Sequence, residues 1–234
     1  MGLILGPNTT GVTLINAVKK LKGLVAIAII ALLAFAGSPA KATTMSFVLN
    51  QFTGTGTPGP GPYGTVTLDD HGGPNVSVNL SLFPNFGLVN SGAGAALTWG
   101  MTGNPLLTIT GLTPGFVVSY NGSDTGQLDG TGHWFNEIDC VPSLCGSGGS
   151  APYMGAFNFT INDVGLGQFT QNTKGYYFGS DICTFVGANG VGCTGITGDI
   201  VAKNATTSAR EPASLLPFCL GVLGLGLIRR RKRA

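Results

Sequence analysis

Between residues 65 and 82 apolar and polar side chains alternate with a period of two. TVTL at 65–68 and VSVNLSL at 76–82 flank DDHGGPN, a run of turn-forming residues. Alternation of this kind predicts two half-buried strands, and Gly, Pro and Asn between them predict a hairpin. Val76, Val78, Leu80 and Leu82 would face a core, with Ser77, Asn79 and Ser81 facing water. The same reading predicts strands at 95–99, 106–110, 116–120, 133–138, 154–161, 176–183 and 198–202. That makes about nine short strands separated by turn signals, with no helix expected between 43 and 209. The expectation is an all-β domain, an antiparallel β-sandwich with a jelly roll as its candidate topology. TGTGTPGPGP at 53–62 reads as a lead-in loop and CGSGGSAP at 145–152 as a second loop.

Composition changes the picture at the two ends of the chain. Charged residues are only 9% of 234, and Gly and Pro number 39 and 13. From Thr43 to Arg210 there are three basic side chains against nine acidic ones, a net charge of −6. A mildly acidic body argues against a phosphate-neutralising surface, so no nucleic-acid partner is expected. Near the start, Lys19, Lys20 and Lys22 precede an apolar run from Gly23 to Gly37, followed by Ala40-Lys41-Ala42. Basic region, apolar region and small-x-small site predict a signal peptide spanning 1–42, cut by signal peptidase after Ala42. The competing reading is a transmembrane anchor, but the uninterrupted apolar core, Leu24–Phe35, is short for a bilayer. The 18 residues before Lys19 are long for a basic region, which points to a start downstream.

Export gives the cysteines a meaning. Cys140 and Cys145 form one close pair, Cys183 and Cys193 another. An even count in an oxidising compartment predicts disulfides. Of the three connectivities, the two local ones are favoured because each would staple a Gly-rich loop. Zinc is the alternative, but C-x2-C spacing is missing and only His71 and His133 could assist. Cys219 lies apart, inside the terminal apolar stretch.

That stretch, Ala213–Ile228, is 16 residues long and is followed by Arg229, Arg230, Arg231, Lys232 and Arg233. As a helix it would span about 24 Å, marginal for a membrane, and it has no polar face for a soluble core helix. The basic cluster would stay cytoplasmic, as would the lysines of the signal peptide, so both ends agree on one topology. Glu211-Pro212, the apolar segment LGVLGLGLI and the basic end RRRKR together resemble the sorting signal of PEP-CTERM proteins. Arg210 stands where that family usually has Pro, and Pro217 lies within the apolar segment. The resemblance covers about 25 residues, 210–234. It implies a Gram-negative host that makes exopolysaccharide, and transient residence in the inner membrane. It further implies an exosortase-type sorting enzyme cutting near Glu211-Pro212, with the β domain, 43–209, delivered to the envelope or the extracellular matrix.

Candidate chemistry in the body is sparse. If 133–138 is extended through Asp139, then His133, Glu137 and Asp139 share one face, suited to a metal or to acid–base work. The bland alternative is a surface strand whose other side, Trp134 and Ile138, is core. Trp99, Trp134, Tyr153, Tyr176 and Tyr177 could present flat faces to sugars, or could fill the interior. Asn121–Asp124 and Asp129–Gly132 carry oxygen ligands of the kind calcium accepts, in ordinary turn sequences. The sequons at Asn75, Asn79, Asn121, Asn158 and Asn204 read as polar surface in a bacterial setting. No G-x-S-x-G, H-E-x-x-H or P-loop is present, and no cofactor or metal is expected. The leading expectation is a non-enzymatic, exported structural or interaction protein associated with exopolysaccharide or biofilm. A carbohydrate-binding module with exposed aromatics and a secreted carbohydrate-active enzyme with a carboxylate pair are the alternatives.

Overall fold

A computed structural model describes residues 42–209, apart from 57, 92–94, 125–126, 129 and 187–191. The first strands are β1 (Thr43–Leu49), β2 (Gln51–Phe52), β3 (Gly64–Asp69), β4 (Val76–Leu82), β5 (Gly87–Leu88) and β6 (Leu97–Met101). Next come β7 (Thr108–Thr110), β8 (Phe116–Asn121), β9 (Gln127–Leu128), β10 (Gly132–His133) and β11 (Asn136–Cys140). The last are β12 (Phe157–Asn162), β13 (Phe169–Thr170), β14 (Phe178–Cys183), β15 (Thr197–Ala202) and β16 (Ala205–Ala209).

These strands form two antiparallel sheets. The first has the order β16-β1-β3-β4-β12-β7. The second runs β2-β15-β14-β6-β11-β8, with β5 added to β14 and β13 to β6, while β9 and β10 make a small separate pair. The chain crosses between sheets repeatedly, after β1, β2, β4, β6, β7, β11, β12 and β15. Strands that alternate in sequence can bury only one face, so each sheet needs the other. Phe47, Val66, Leu68, Val78, Leu80, Phe157 and Phe159 of the first sheet share one core with Leu97, Trp99, Ile138, Phe178 and Ile182 of the second. Rings meet across the sheets: Phe47 and Phe178 have centroids 4.8 Å apart, and Trp99 and Phe159 5.3 Å. Full burial of such a side chain contributes about 1.5–3 kcal/mol.

The hairpin expected at 65–82 forms as β3 and β4, with Gly64 opposite Leu82 and Asp69 opposite Ser77. Its turn is held by two carboxylates acting as backbone acceptors. Asp69 accepts from the His71 N–H at 2.8 Å, and Asp70 accepts from the N–H groups of Gly72 at 2.9 Å and Thr43 at 2.7 Å. The Thr43 and Gly72 bonds hold the Asp70 carboxyl below its ordinary range. His71 and Gly72 adopt left-handed backbone, φ 47° and 73°, to turn the chain. Asp70→Ala is expected to cost about 1–2 kcal/mol, because it leaves two N–H groups without their charged acceptor. Urea titration at pH 7 measures this, and an unchanged midpoint would remove Asp70 from the turn's support.

Elsewhere the sequence expectations shift. The strand expected at 95–99 lies at 97–101, and those expected from 154 and 176 begin at Phe157 and Phe178. The strand expected at 133–138 is broken: His133 ends β10, Asn136 starts β11, and Trp134 turns into its own small core with Ala95 and Leu128. Six strands were not anticipated, among them β1, whose Phe47 and Leu49 are fully buried. The expectation of no internal helix is corrected by one turn, α1 (Pro142–Cys145), which Pro initiates because its missing N–H is no loss there. No helix among the described residues is long and apolar enough to cross a membrane. The two helices expected at the ends, with Ala40, Glu211, Pro212 and the basic cluster Arg229–Arg233, lie outside the described residues.

Both local cysteine pairs are joined. Cys140–Cys145 links the end of β11 to the end of α1, with Cα atoms 5.9 Å apart. Cys183–Cys193 closes the segment between β14 and β15, with Cα atoms 5.7 Å apart.

Candidate functional site

Glu137 and Asp139, two apart on β11, share one face as expected. β11 lies between β6 and β8, and its register with β8 slips between Glu137 and Ile138, so Ser119 is an extra residue on β8. That bulge brings the Ser119 hydroxyl onto Asp139, where it donates to Oδ2. Oδ1 of Asp139 is buried and lacks a donor as long as Glu137 is ionised. Glu137 is only 7% exposed. Burial first, and then the hydrogen bond to Asp139 and its charge, push the Glu137 carboxyl up to about 8. A protonated Glu137 is the form that can donate a hydrogen bond to Asp139.

His133 does not join them. The break in the strand carries it onto β10, where Nδ1 lies 3.0 Å from both carboxylate oxygens of Asp124. The three-residue face is therefore corrected to two separate pairs. Among the described residues no group of three His, Cys, Asp or Glu side chains converges as a metal's ligand set.

The nominated aromatics lie mostly inside. Trp99 and Trp134 are fully buried, and the Trp134 indole donates to Thr131 Oγ1 at 2.9 Å. Tyr153 is half-buried against Phe116, with centroids 5.2 Å apart, and Tyr177 packs on Phe47 at 5.1 Å. Tyr176 is covered by the Lys203 ammonium, 5.1 Å from its ring. A sugar platform built from these five residues is corrected on that ground. Asn121 is likewise committed. Its amide clamps the backbone of Leu107, accepting from N–H at 2.7 Å and donating to the carbonyl at 2.8 Å. That use leaves it unfit as a calcium ligand, while Asp124 is engaged by His133.

One cleft shares His133 and Trp134 with these groups. About 280 Å³ in volume, it opens where the 101–104 turn, the β10–β11 connection and the segment after β13 meet. Its lining includes Thr102, Asn104, His133, Phe135, Thr170 and Gln171. Glu137 and Asp139 do not line it. No family model, curated protein or solved structure matches this chain.

The cleft's floor depends on glycine. Gly100 on β6 faces Thr170 on β13, and a Cβ there would stand 2.5 Å from the Thr170 carbonyl oxygen. The Met101–Asn104 turn closes with an N–H to carbonyl bond of 3.2 Å, and Asn104 takes a left-handed φ of 46°. Phe135 is half-buried and packs against neither hydrophobic cluster. Sequence reasoning placed Phe135 only as a bystander among acids. It had no signal for Asn104, Thr102 or Thr170, which resemble every other polar turn residue in the chain.

Proposed function

We propose that this chain is an exported structural or interaction protein of the cell envelope or extracellular matrix. Its body is a jelly-roll-like β-sandwich released by processing at both ends, and it associates with exopolysaccharide. One observation carries this reading. β1 begins at Thr43, directly after the expected signal-peptidase site, and β16 ends at Ala209, just before Glu211-Pro212. The two strands pair with each other, Thr43 opposite Ala209. A cut after Ala42 would therefore leave β1 whole, and a cut near Glu211 would fall beyond the described part of β16. The disulfides support an oxidising destination.

The start of β1 adds a consequence. Asp70 accepts from the Thr43 N–H. If cleavage falls after Ala42, that nitrogen becomes the α-ammonium of the mature chain, and the hydrogen bond becomes an ion pair.

Terminal peptide mapping of the protein from its native host, in membrane and medium fractions, tests the proposal. The expected result is a mature chain that begins at Thr43 and lacks the segment beyond about Glu211. A chain that keeps Arg229–Arg233 in the membrane fraction would overturn the sorting reading and make the tail a permanent anchor.

A further inference from the structure

We infer that the cleft around Phe135 is a binding subsite for a neutral saccharide ring. The inference deepens the matrix reading above and rests on it for the source of the glycan, by naming the ligand class and the residues that meet it.

The chemistry of the lining selects the ligand. A sugar ring has an apolar C–H face and a rim of hydroxyls, so its site needs one flat aromatic surface beside uncharged groups that both donate and accept. Phe135 supplies the surface. Trp134 also lines the cleft but is fully buried in its own small core, whereas Phe135 is half-buried there and supports neither core. Asn104 supplies an amide, donor and acceptor together, and no hydrogen bond within the described chain uses it. The hydroxyls of Thr102 and Thr170 are likewise uncommitted. Gln171 spends one N–H on the Lys203 carbonyl, at 3.0 Å, which fixes the side chain at the cleft's edge.

Charge argues against other ligands. No lysine, arginine, aspartate or glutamate lines the cleft. A phosphate or a polyanion would find no fixed cation there, and a divalent cation no carboxylate. The His133–Asp124 pair stands at one wall, where the carboxylate orients the imidazole. Gly100 and Gly103 also line the cleft and bring no side chain into it. The volume, about 280 Å³, suits one or two rings of a longer chain and is small for a large cofactor.

The experiment is affinity electrophoresis of the protein purified from its host. Native gels would contain dextran, galactomannan or hydroxyethylcellulose, with alginate as the acidic comparison. Retardation by at least one neutral polysaccharide is expected, at low and at high salt alike. Phe135→Ala is expected to weaken it about tenfold, the loss of one aromatic contact. Asn104→Gly keeps the left-handed turn while removing the amide, and is expected to weaken it about threefold. Thermal midpoints within about 2 °C of wild type would show that neither variant acts through unfolding. No retardation in any neutral gel overturns the inference, as does equal retardation of wild type and both variants. Retardation by alginate alone, abolished by salt, also overturns it. A chain processed at both ends that ignores every neutral glycan would sink this inference and leave the sorting reading standing. A chain that binds glycan but keeps both ends would do the reverse.

Discussion

Removal of both disulfides, with all four cysteines changed to alanine, is expected to lower folding stability by about 5 kcal/mol. The estimate comes from the unfolded chain. Cys140–Cys145 closes a short loop and Cys183–Cys193 a longer one, with sequence separations of 5 and 10. Loop-closure entropy assigns them about 2 and about 3 kcal/mol. Domains of this size carry only about 5–15 kcal/mol in total, so the quadruple variant would sit near its unfolding threshold. The native state gives a second reason. Cys145 and Cys183 are fully buried, and Cys183 ends β14, a central strand between β15 and β6. Urea unfolding of the quadruple variant and of each pair separately provides the measurement. The Cys183–Cys193 variant should lose more than the Cys140–Cys145 variant. A midpoint that does not move when wild type is incubated with reductant would show that the pairs contribute nothing in solution.

The second large effect is a pH dependence centred on Glu137. Its carboxyl lies near 8 in the folded protein, against an ordinary value of 4.5. Between those values the folded state binds a proton that the unfolded state has lost. Stability therefore falls as pH rises through this window, and it is greatest, for this group, below about 4.5. The size of the fall is a few kcal/mol. Glu137→Gln separates this contribution from all other titrating groups. Glutamine is neutral at every pH and its amide can donate to Asp139 Oδ1, so it mimics protonated Glu137. The variant should match wild type near pH 4.5 and exceed it near pH 8 by those few kcal/mol. Urea midpoints of both proteins from pH 4 to 9 measure the difference. Parallel curves would mean that Glu137 and Asp139 do not share a proton.

This pair also bears on the enzymatic alternative. Two adjacent carboxyl groups, one of them with a raised pKa, are a familiar catalytic arrangement. Here Glu137 is 7% exposed, and neither residue lines the cleft. The pair lies on β11 between β6 and β8, with Glu137 buried. Thr98, opposite Glu137 on β6, is completely buried beside it.

What was legible in the sequence follows the range of the interactions involved. The β3–β4 hairpin could be read to the residue on β4, because alternation and turn chemistry act over a few positions. The two disulfides were legible for the same reason, since each joins cysteines at most 10 residues apart. β1 alternates only over its last three residues, Phe47 and Leu49 buried with Val48 exposed between them, so TTMSFVL carries a weaker signal than β4. The stretch from His133 to Asp139 misled because its composition suits a strand throughout. Trp134 finds its burial against Leu128 instead of in the sheet, and that breaks the pleat.

By itself, then, the sequence determined the all-β class, the local hairpin, the local cysteine pairs and the apolar, basic-flanked ends. Each follows from residue type and near-neighbour spacing. Only the tertiary structure decided which aromatics are fully buried and which line a cleft. It alone placed Asp139 beside a bulged Ser119, and Asn104, Phe135 and Thr170 around one opening. Those groupings join residues 20 to 66 positions apart, and side-chain type is the same for a buried tryptophan as for an exposed one. Burial and convergence depend on how two sheets stack. That stacking is set by the whole core at once, and no short stretch of the chain encodes it.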